Sequence, residues 1–312
     1  MRALVTGATG KVGNAVARAL AARGDEVRAL VRDPARAAAA MPAGAQAVRG
    51  DVTDAESVRA AVEGCELVFN AMGLPEQWLA DEDEFERVNA IGSETVVREA
   101  ARAGARRVVH TSTIDVFHAS AGARFDESEI ADYPKGTAYE RSKQHAERLV
   151  LAAAEREGIE VVLANPSAVY GPGPEGSASP ERDILRPVVE AKRAAAPALP
   201  PGGFGVLFSE GAGAGHLLAA ERGRPGERYI LCDAHVTLRE LAESGAAFQS
   251  RKCSWPFGSS GGLPVSRAIG SPAAASAFAT GAGIVGGTRP RPATRTAISA
   301  SSRRVTCASQ RM

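Results

Sequence analysis

The sequence predicts an α/β fold, a doubly wound parallel sheet with helices on both faces, followed by a small, incomplete C-terminal substrate domain. Three observations carry this. Val- and Leu-rich runs alternate with Ala-rich amphipathic stretches from Ala3 to Ala164. The apolar runs are continuous, as in strands buried on both faces. The first run ends in a set of three glycines, where a strand would give way to a helix.

Strands are expected at Ala3–Thr6, Glu26–Val31, Ala47–Gly50, Leu67–Asn70, Arg107–Thr111 and Glu160–Ala164. Helices are expected at Val12–Ala22, Ala55–Val62, Phe85–Ala103 and Ala138–Glu157. Six strands with helices between them fit the doubly wound arrangement. After Pro166 the pattern loosens. A Gly/Pro-rich loop over Tyr170–Pro180 leads to a helix near Ile184–Arg193, a strand near Gly205–Phe208, a helix near Gly215–Arg222 and a strand near Arg228–Leu231. The expected division is 1–166 for the dinucleotide-binding and catalytic part, 167–243 for the substrate part and 244–312 for an atypical tail.

Composition sets the tail apart. The 312-residue chain has net charge +1, which gives no reason to expect a nucleic-acid or membrane partner. That balance hides a break. The last acidic residue is Glu243; beyond it lie nine Lys or Arg and no Asp or Glu, in a Ser-, Gly-, Ala- and Pro-rich segment. Such a stretch buries too little apolar surface to offset its ordering entropy. It reads either as a disordered basic tail or as the product of a reading-frame shift, and it is expected to hold no catalytic residues. No apolar run is long enough to span a membrane, and no signal peptide is visible, so a cytoplasmic location is expected. Cys65, Cys232, Cys253 and Cys307 lack metal-ligand spacing and read as ordinary thiols.

The first glycine turn reads Thr6-Gly7-Ala8-Thr9-Gly10-Lys11-Val12-Gly13. Gly7 suits a tight turn, Gly10 leaves room for a pyrophosphate, and Gly13 lets the helix approach the sheet. The helix N-terminus then points its N–H groups at the phosphates. Gly7, Thr9, Gly10, Lys11, Val12 and Gly13 are thus candidate cofactor ligands. A nucleoside-triphosphatase loop is not expected, because Val12 stands where Ser or Thr would be needed. Arg32 follows the second strand, where a cofactor without a 2′-phosphate meets an acid. Its guanidinium points to NADP, with NAD as the alternative and Arg36 as a helper. Asp51, beside Val52, is placed to accept from the adenine amine, although a helix-capping role suits it too. Asn70 and Ala71 end the fourth strand, where the cofactor would cross the sheet edge.

Tyr139 and Lys143 lie four residues apart on one helix face. A free phenol, with pKa about 10, is a poor base near neutrality. A neighbouring ammonium favours the phenolate, so Tyr139 could exchange a proton with an alcohol or carbonyl. The hydroxyls of Thr111-Ser112-Thr113, at the carboxyl end of the fifth strand, face the ligand crevice, and one of them could orient the reacting oxygen.

Taken together, these segments resemble the extended short-chain dehydrogenases/reductases, the NAD-dependent epimerase/dehydratase family, including dihydroflavonol reductases and hopanoid-associated sugar epimerases. The resemblance runs over about residues 1–243. It rests on Thr6–Gly13, Gly50-Asp51-Val52, Val88–Gly92, Val109–Thr113, Tyr139–Lys143 and Asn165–Gly173. It implies a Rossmann domain and a catalytic set of Thr113, Tyr139 and Lys143, with Ser112 as the fallback for Thr113. Tyr139 and Lys143 would also touch the cofactor, and Pro166, Ser167 and Ala168 would pass near the nicotinamide amide. It further implies a homodimer through the Phe85–Ala103 and Tyr139 helices. Asn89 fits a structural role and a ligand role equally; His216 fits a structural role better. The expected activity is hydride transfer at a carbonyl or alcohol carbon of a small molecule or nucleotide-sugar. A dinucleotide-sensing module without catalysis and an inactive frame-shifted product are the alternatives.

Overall fold

The computed structural model describes residues 1–75, 79–119, 124–177, 202–237, 239–240 and 305–306. The main sheet has seven parallel strands: β1 (Arg2–Thr6), β2 (Glu26–Val31), β3 (Gln46–Arg49), β4 (Leu67–Asn70), β5 (Arg107–Thr111), β7 (Glu160–Pro166) and β10 (Arg228–Leu231). Their spatial order is β10-β7-β5-β4-β1-β2-β3. The order reverses beside β1, so the crevice at the carboxyl ends of β1 and β4 is the switch point where ligands of such sheets lie.

Successive residues of each strand feed opposite layers. Ala3, Val5, Val27, Ala29, Phe69, Val109 and Val162 pack under α1 (Lys11–Ala22) and α7 (Ser209–Arg222). Leu4, Leu30, Val68, Val108, Val161 and Leu163 pack under α3 (Ala55–Val62), α5 (Gly92–Arg102) and α6 (Ala138–Glu157). Each large side chain so buried contributes about 1.5–3 kcal/mol. Between α1 and β3 runs a short helix, α2 (Pro34–Ala38).

The long helix expected from Phe85 to Ala103 is interrupted. A first turn, α4 (Asp83–Phe85), runs through a π-helical segment (Glu86–Ile91) into α5. The Ser93 hydroxyl donates to the Asn89 carbonyl and the Thr95 hydroxyl to the Ile91 carbonyl, back-bonds that compete with the helical ladder. By contrast, α6 has the bounds its sequence announces. Thr137 and Glu140 form a capping box at its start, and Gly158, at φ 70°, closes it.

After β7 the structure contains the expected strand near Gly205–Phe208 and flanks it with two that the pattern concealed. β8 (Ala168–Tyr170), β9 (Gly203–Phe208) and β11 (Ala234–Thr237) make a three-stranded sheet, with β8 parallel and β11 antiparallel to β9. Six strands are expected in the main sheet and seven are found. Arg228–Leu231 pairs parallel with β7, from Arg228 beside Leu163 to Leu231 beside Pro166. α7 starts six residues before the expected Gly215. Its Gly211, Gly213 and Gly215 read as helix-breaking, yet a Cβ on Gly213 would lie 2.6 Å from the Ala15 carbonyl oxygen of α1 and one on Gly215 would lie 2.9 Å from Leu231. Close packing outweighs the roughly 1 kcal/mol that each helical glycine costs. Short strands β6 (Arg124–Phe125) and β12 (Val305–Thr306) pair antiparallel. The expected helix at 184–193, and the tail apart from 305–306, lie outside the described residues. Among the described residues no helix is long and apolar enough to cross a membrane.

The turn after β1 has almost no free space. A Cβ on Gly13 would lie 2.2 Å from the Gly7 carbonyl oxygen, a backbone atom that cannot swing aside. Gly13→Ala is therefore expected to destabilise the fold by about 1–3 kcal/mol, measured as a lower urea midpoint at unchanged m-value. An unchanged midpoint would show that α1 can lift away from the turn.

Candidate functional site

Gly7 turns the chain at φ 69°, and a Cβ there would lie 2.5 Å from the Ala71 carbonyl oxygen. This brings the β1 turn against the end of β4. Gly10 differs from its two neighbours, since among the described residues a Cβ on it meets only the Gly7 carbonyl oxygen, at 3.3 Å. It caps α1 without a side-chain bond, and no acidic residue occupies the first turn. The helix therefore opens with positive polarity towards the crevice, as a pyrophosphate requires. Thr9 is exposed, Val12 half-buried and Lys11 buried. A Cβ on Gly173 would lie 3.2 Å from Lys11 Cγ, so the loop after β8 runs over the turn.

Just past the end of β2, Arg32 is exposed and makes no hydrogen bond or ion pair among the described residues. Of Arg36 only the backbone, within α2, is described. The Asp51 carboxylate accepts from the Thr53 N–H at 2.9 Å and from its hydroxyl at 2.8 Å through Oδ1. Asp54, not Asp51, caps α3. Val52 is buried against Gly92. Asn70 is fully buried: its Oδ1 accepts from the Thr6 hydroxyl at 2.7 Å, and its Nδ2 lies 3.1 Å from His110 Nδ1. Its side chain thus braces β1, β4 and β5, leaving half-buried Ala71 at the crevice edge.

Lys143 reaches into the interior from α6. Its Nζ donates to the Thr111 carbonyl at 2.8 Å, at the carboxyl end of β5. Burial pulls the ammonium down to about 8, while the Glu147 carboxylate one turn further on acts in the opposite sense. Tyr139 lies one turn earlier on the same face, half-buried, with its ring edge-on to Phe85 at 6.2 Å. Its backbone carbonyl accepts from Ser142 Oγ, which also receives Asn89 Nδ2 at 3.1 Å. The Asn89 amide clamps both the N–H and the carbonyl of Leu74. The π-helical segment thus ties the loop after β4 to the start of α6.

The three strand-end hydroxyls have separate fates. Thr111 Oγ1 bonds His216 Nε2 at 2.9 Å, and His216 Nδ1 donates to the Ala212 carbonyl. His216 is therefore a neutral structural bridge, held down to about 4 by burial. Thr113 Oγ1 donates to Asp115 Oδ2 at 2.6 Å and receives the Asp115 N–H. Burial raises the Asp115 carboxyl above its usual range, and the Thr113 bond opposes that rise. Ser112 Oγ is buried and has no partner among the described residues; neither has Ser167 Oγ, past the end of β7. Each such orphan costs roughly 1–3 kcal/mol, which a polar ligand at this edge would relieve. Pro166 is buried and Ala168 half-buried beside it. Sequence reasoning did not single out Asp115, His110 or Glu147. Glu147 was detectable as the next i+4 step after Tyr139 and Lys143.

A family model described as NAD dependent epimerase/dehydratase family matches residues 3–205. The chain belongs to that family. Sterol demethylase protein B of Methylococcus capsulatus is 35% identical over 244 residues, 78% of this chain and 73% of the relative. A Stigmatella aurantiaca enzyme, 4-hydroxy-2-methyl-3-oxo-4-farnesyl-3,4-dihydroquinoline-1-oxide ketoreductase, is 34% identical over 246 residues, 77% of this chain and 71% of that one. The Thermotoga maritima UDP-glucose 4-epimerase structure shares the fold, with TM-score 0.69 at 18% identity over 81% of this chain and 84% of that one. The chain is an NAD(P)-dependent enzyme with a Rossmann fold, as the sequence resemblance implied.

The buried histidines make stability depend on acid. His216 titrates near 4 when folded and near 6.5 when unfolded, so the unfolded chain binds more protons between those values. Its contribution, about 3 kcal/mol, is present above pH 6.5 and is lost as pH falls towards 4. His110 is displaced in the same direction by burial and then by Lys143 and His216. Urea unfolding of His216→Gln should show a shallower loss of stability than the parent chain over this range. Equal slopes would mean that His216 already carries its proton.

Proposed function

We propose that this chain is an NADP-linked reductase that converts a small-molecule ketone to a secondary alcohol, with Tyr139 as the proton donor. What supports the reading is the buried Lys143 ammonium on the Thr111 carbonyl, one helical turn from Tyr139. Ketone reduction is favoured over epimerisation because a relative matched over most of its length carries the name ketoreductase.

The bound dinucleotide would supply a hydride at its nicotinamide ring. Gly7, Thr9, Gly10, Lys11, Val12 and Gly13 would hold its pyrophosphate, and Asp51 and Val52 would border its adenine. Asn70 would act from behind, through its bonds to Thr6 and His110, and Ala71 would border the cofactor path. Pro166, Ser167 and Ala168 would line the nicotinamide side, and the orphaned Ser167 hydroxyl suits its amide. Arg32 would meet the 2′-phosphate.

On the substrate side, Thr113 Oγ1 would leave Asp115 to hydrogen-bond the ketone oxygen. Tyr139 would pass its phenolic proton to that oxygen as the carbon gains the hydride. The proton and the hydride together complete the alcohol, and the phenolate is reprotonated from solvent. Below about pH 8, where it is charged, Lys143 would stabilise that phenolate. Residues 167–243 would contribute substrate contacts beside this edge.

Two measurements test the reading. Tyr139→Phe should lower kcat by roughly 10²–10⁴-fold and leave the NADPH Kd within about threefold. Retained turnover would remove Tyr139 from the chemistry. Arg32→Ser should weaken NADPH relative to NADH by roughly tenfold or more. An unchanged ratio of the two Kd values would remove the preference for NADP.

A further inference from the structure

We infer that Glu147 is a positioning residue for this reaction, a buried carboxylate that aligns Thr113 through Asn165 and faces Lys143 along α6. The inference rests on the Tyr139–Lys143–Thr113 reading above.

Glu147 is 2% exposed and two turns past Tyr139 on the inner face of α6. Its Oε1 accepts from Asn165 Nδ2 at 2.9 Å, and its Oε2 accepts from Arg228 Nε at 2.7 Å. The same Asn165 Nδ2 also donates to the Thr113 carbonyl at 3.0 Å. One amide therefore joins α6 to the residue whose hydroxyl is proposed to hold the substrate. Asn165 is fully buried and its Oδ1 has no partner among the described residues, so nothing else fixes its orientation as strongly as these two bonds. A purely structural ion pair would need only Arg228 and Glu147. The bond to the Thr113 carbonyl extends that pair into the site.

The second half of the inference is electrostatic. Lys143 faces Glu147 on its own helix and His110 on β5, and His110 is held neutral. Glu147 faces Lys143 on α6 and Arg228 on β10. Arg228 is ion-paired with that carboxylate, and Lys143 stands one helical turn from it. Removing that carboxylate leaves two cations in a poorly solvated region, whereas removing Arg228 leaves Glu147 to Lys143 alone. The two changes push Lys143 in opposite directions, an effect that lost packing alone would not produce.

The test titrates Lys143 directly in the cofactor-free full chain. The chain has five lysines, Lys11, Lys135, Lys143, Lys192 and Lys252, so ¹³Cε-lysine NMR resolves few signals, and Lys143→Met identifies the one required. In the parent chain its midpoint is expected near 8. Glu147→Gln keeps an acceptor for Asn165 and should move the midpoint down; Arg228→Gln should move it up. In the loaded enzyme the basic limb of the kcat profile should follow, leaving Glu147→Gln at least about threefold slower than the parent near pH 8. Should Glu147→Gln fail to fold, the upward shift in Arg228→Gln decides alone. A Lys143 midpoint that stays put in a folded variant, or moves the same way in both, overturns the inference. If the midpoints move as stated but the kcat limb does not, the inference stands for Lys143 while the catalytic reading of Lys143 falls.

Discussion

An ammonium group kept out of water costs several kcal/mol unless the surroundings replace its hydration. Lys143 is 4% exposed, and the Thr111 carbonyl answers its charge. That single bond demands a fixed register between α6 and β5. The capping box at Thr137 and Glu140 sets where the helix starts, and Gly158 sets where it ends. The clamp from Asn89 through Ser142 to the Tyr139 carbonyl holds the first turn down. The π-helical segment, the helix entry and the sheet edge therefore converge on one cation, and Tyr139 inherits its place from them.

Beneath that edge runs a polar interior, largely neutral around the two histidines. Thr6, Asn70 and His110 are linked across β1, β4 and β5, and Thr111 and His216 link β5 to α7. Such networks are strong when complete, because low polarity strengthens each bond. Keeping His110 uncharged spares Lys143 a further positive neighbour. A histidine would otherwise be a natural site for a proton near neutrality, and burial removes it from that competition.

Much of this was legible in the sequence. The strands at Glu26–Val31, Leu67–Asn70 and Arg107–Thr111 have continuous apolar runs, and α6 has both end signals written in its residues. The glycine turn could be read because each glycine does a different thing: Gly7 and Gly13 are needed by the backbone, Gly10 leaves space. What stayed hidden depends on distant partners. The helix expected from Gly215 starts at Ser209, and the close contact of Gly213 with α1 that the sequence does not announce lies in that extra length. The π-helical segment needs Leu74 to occupy Asn89. Asp115 is an unremarkable acid in the sequence, and only folding brings it to the Thr113 hydroxyl; Glu147 stands one i+4 step past Lys143, but its tie to Asn165 needs the fold.

The place of β10 limits how this chain can be taken apart. β10 arrives last among the main-sheet strands but lies beside β7, and α7, which leads to it, covers α1 and the strands beside it. A fragment ending at Pro166 would expose the whole flank of β7 and strip one apolar layer from the first helix. Such a raw edge invites pairing with other chains. Residues 1–166 are thus not a module that recombination could cut free at its last strand; a viable exchange has to leave the closing unit of α7 and β10 in place.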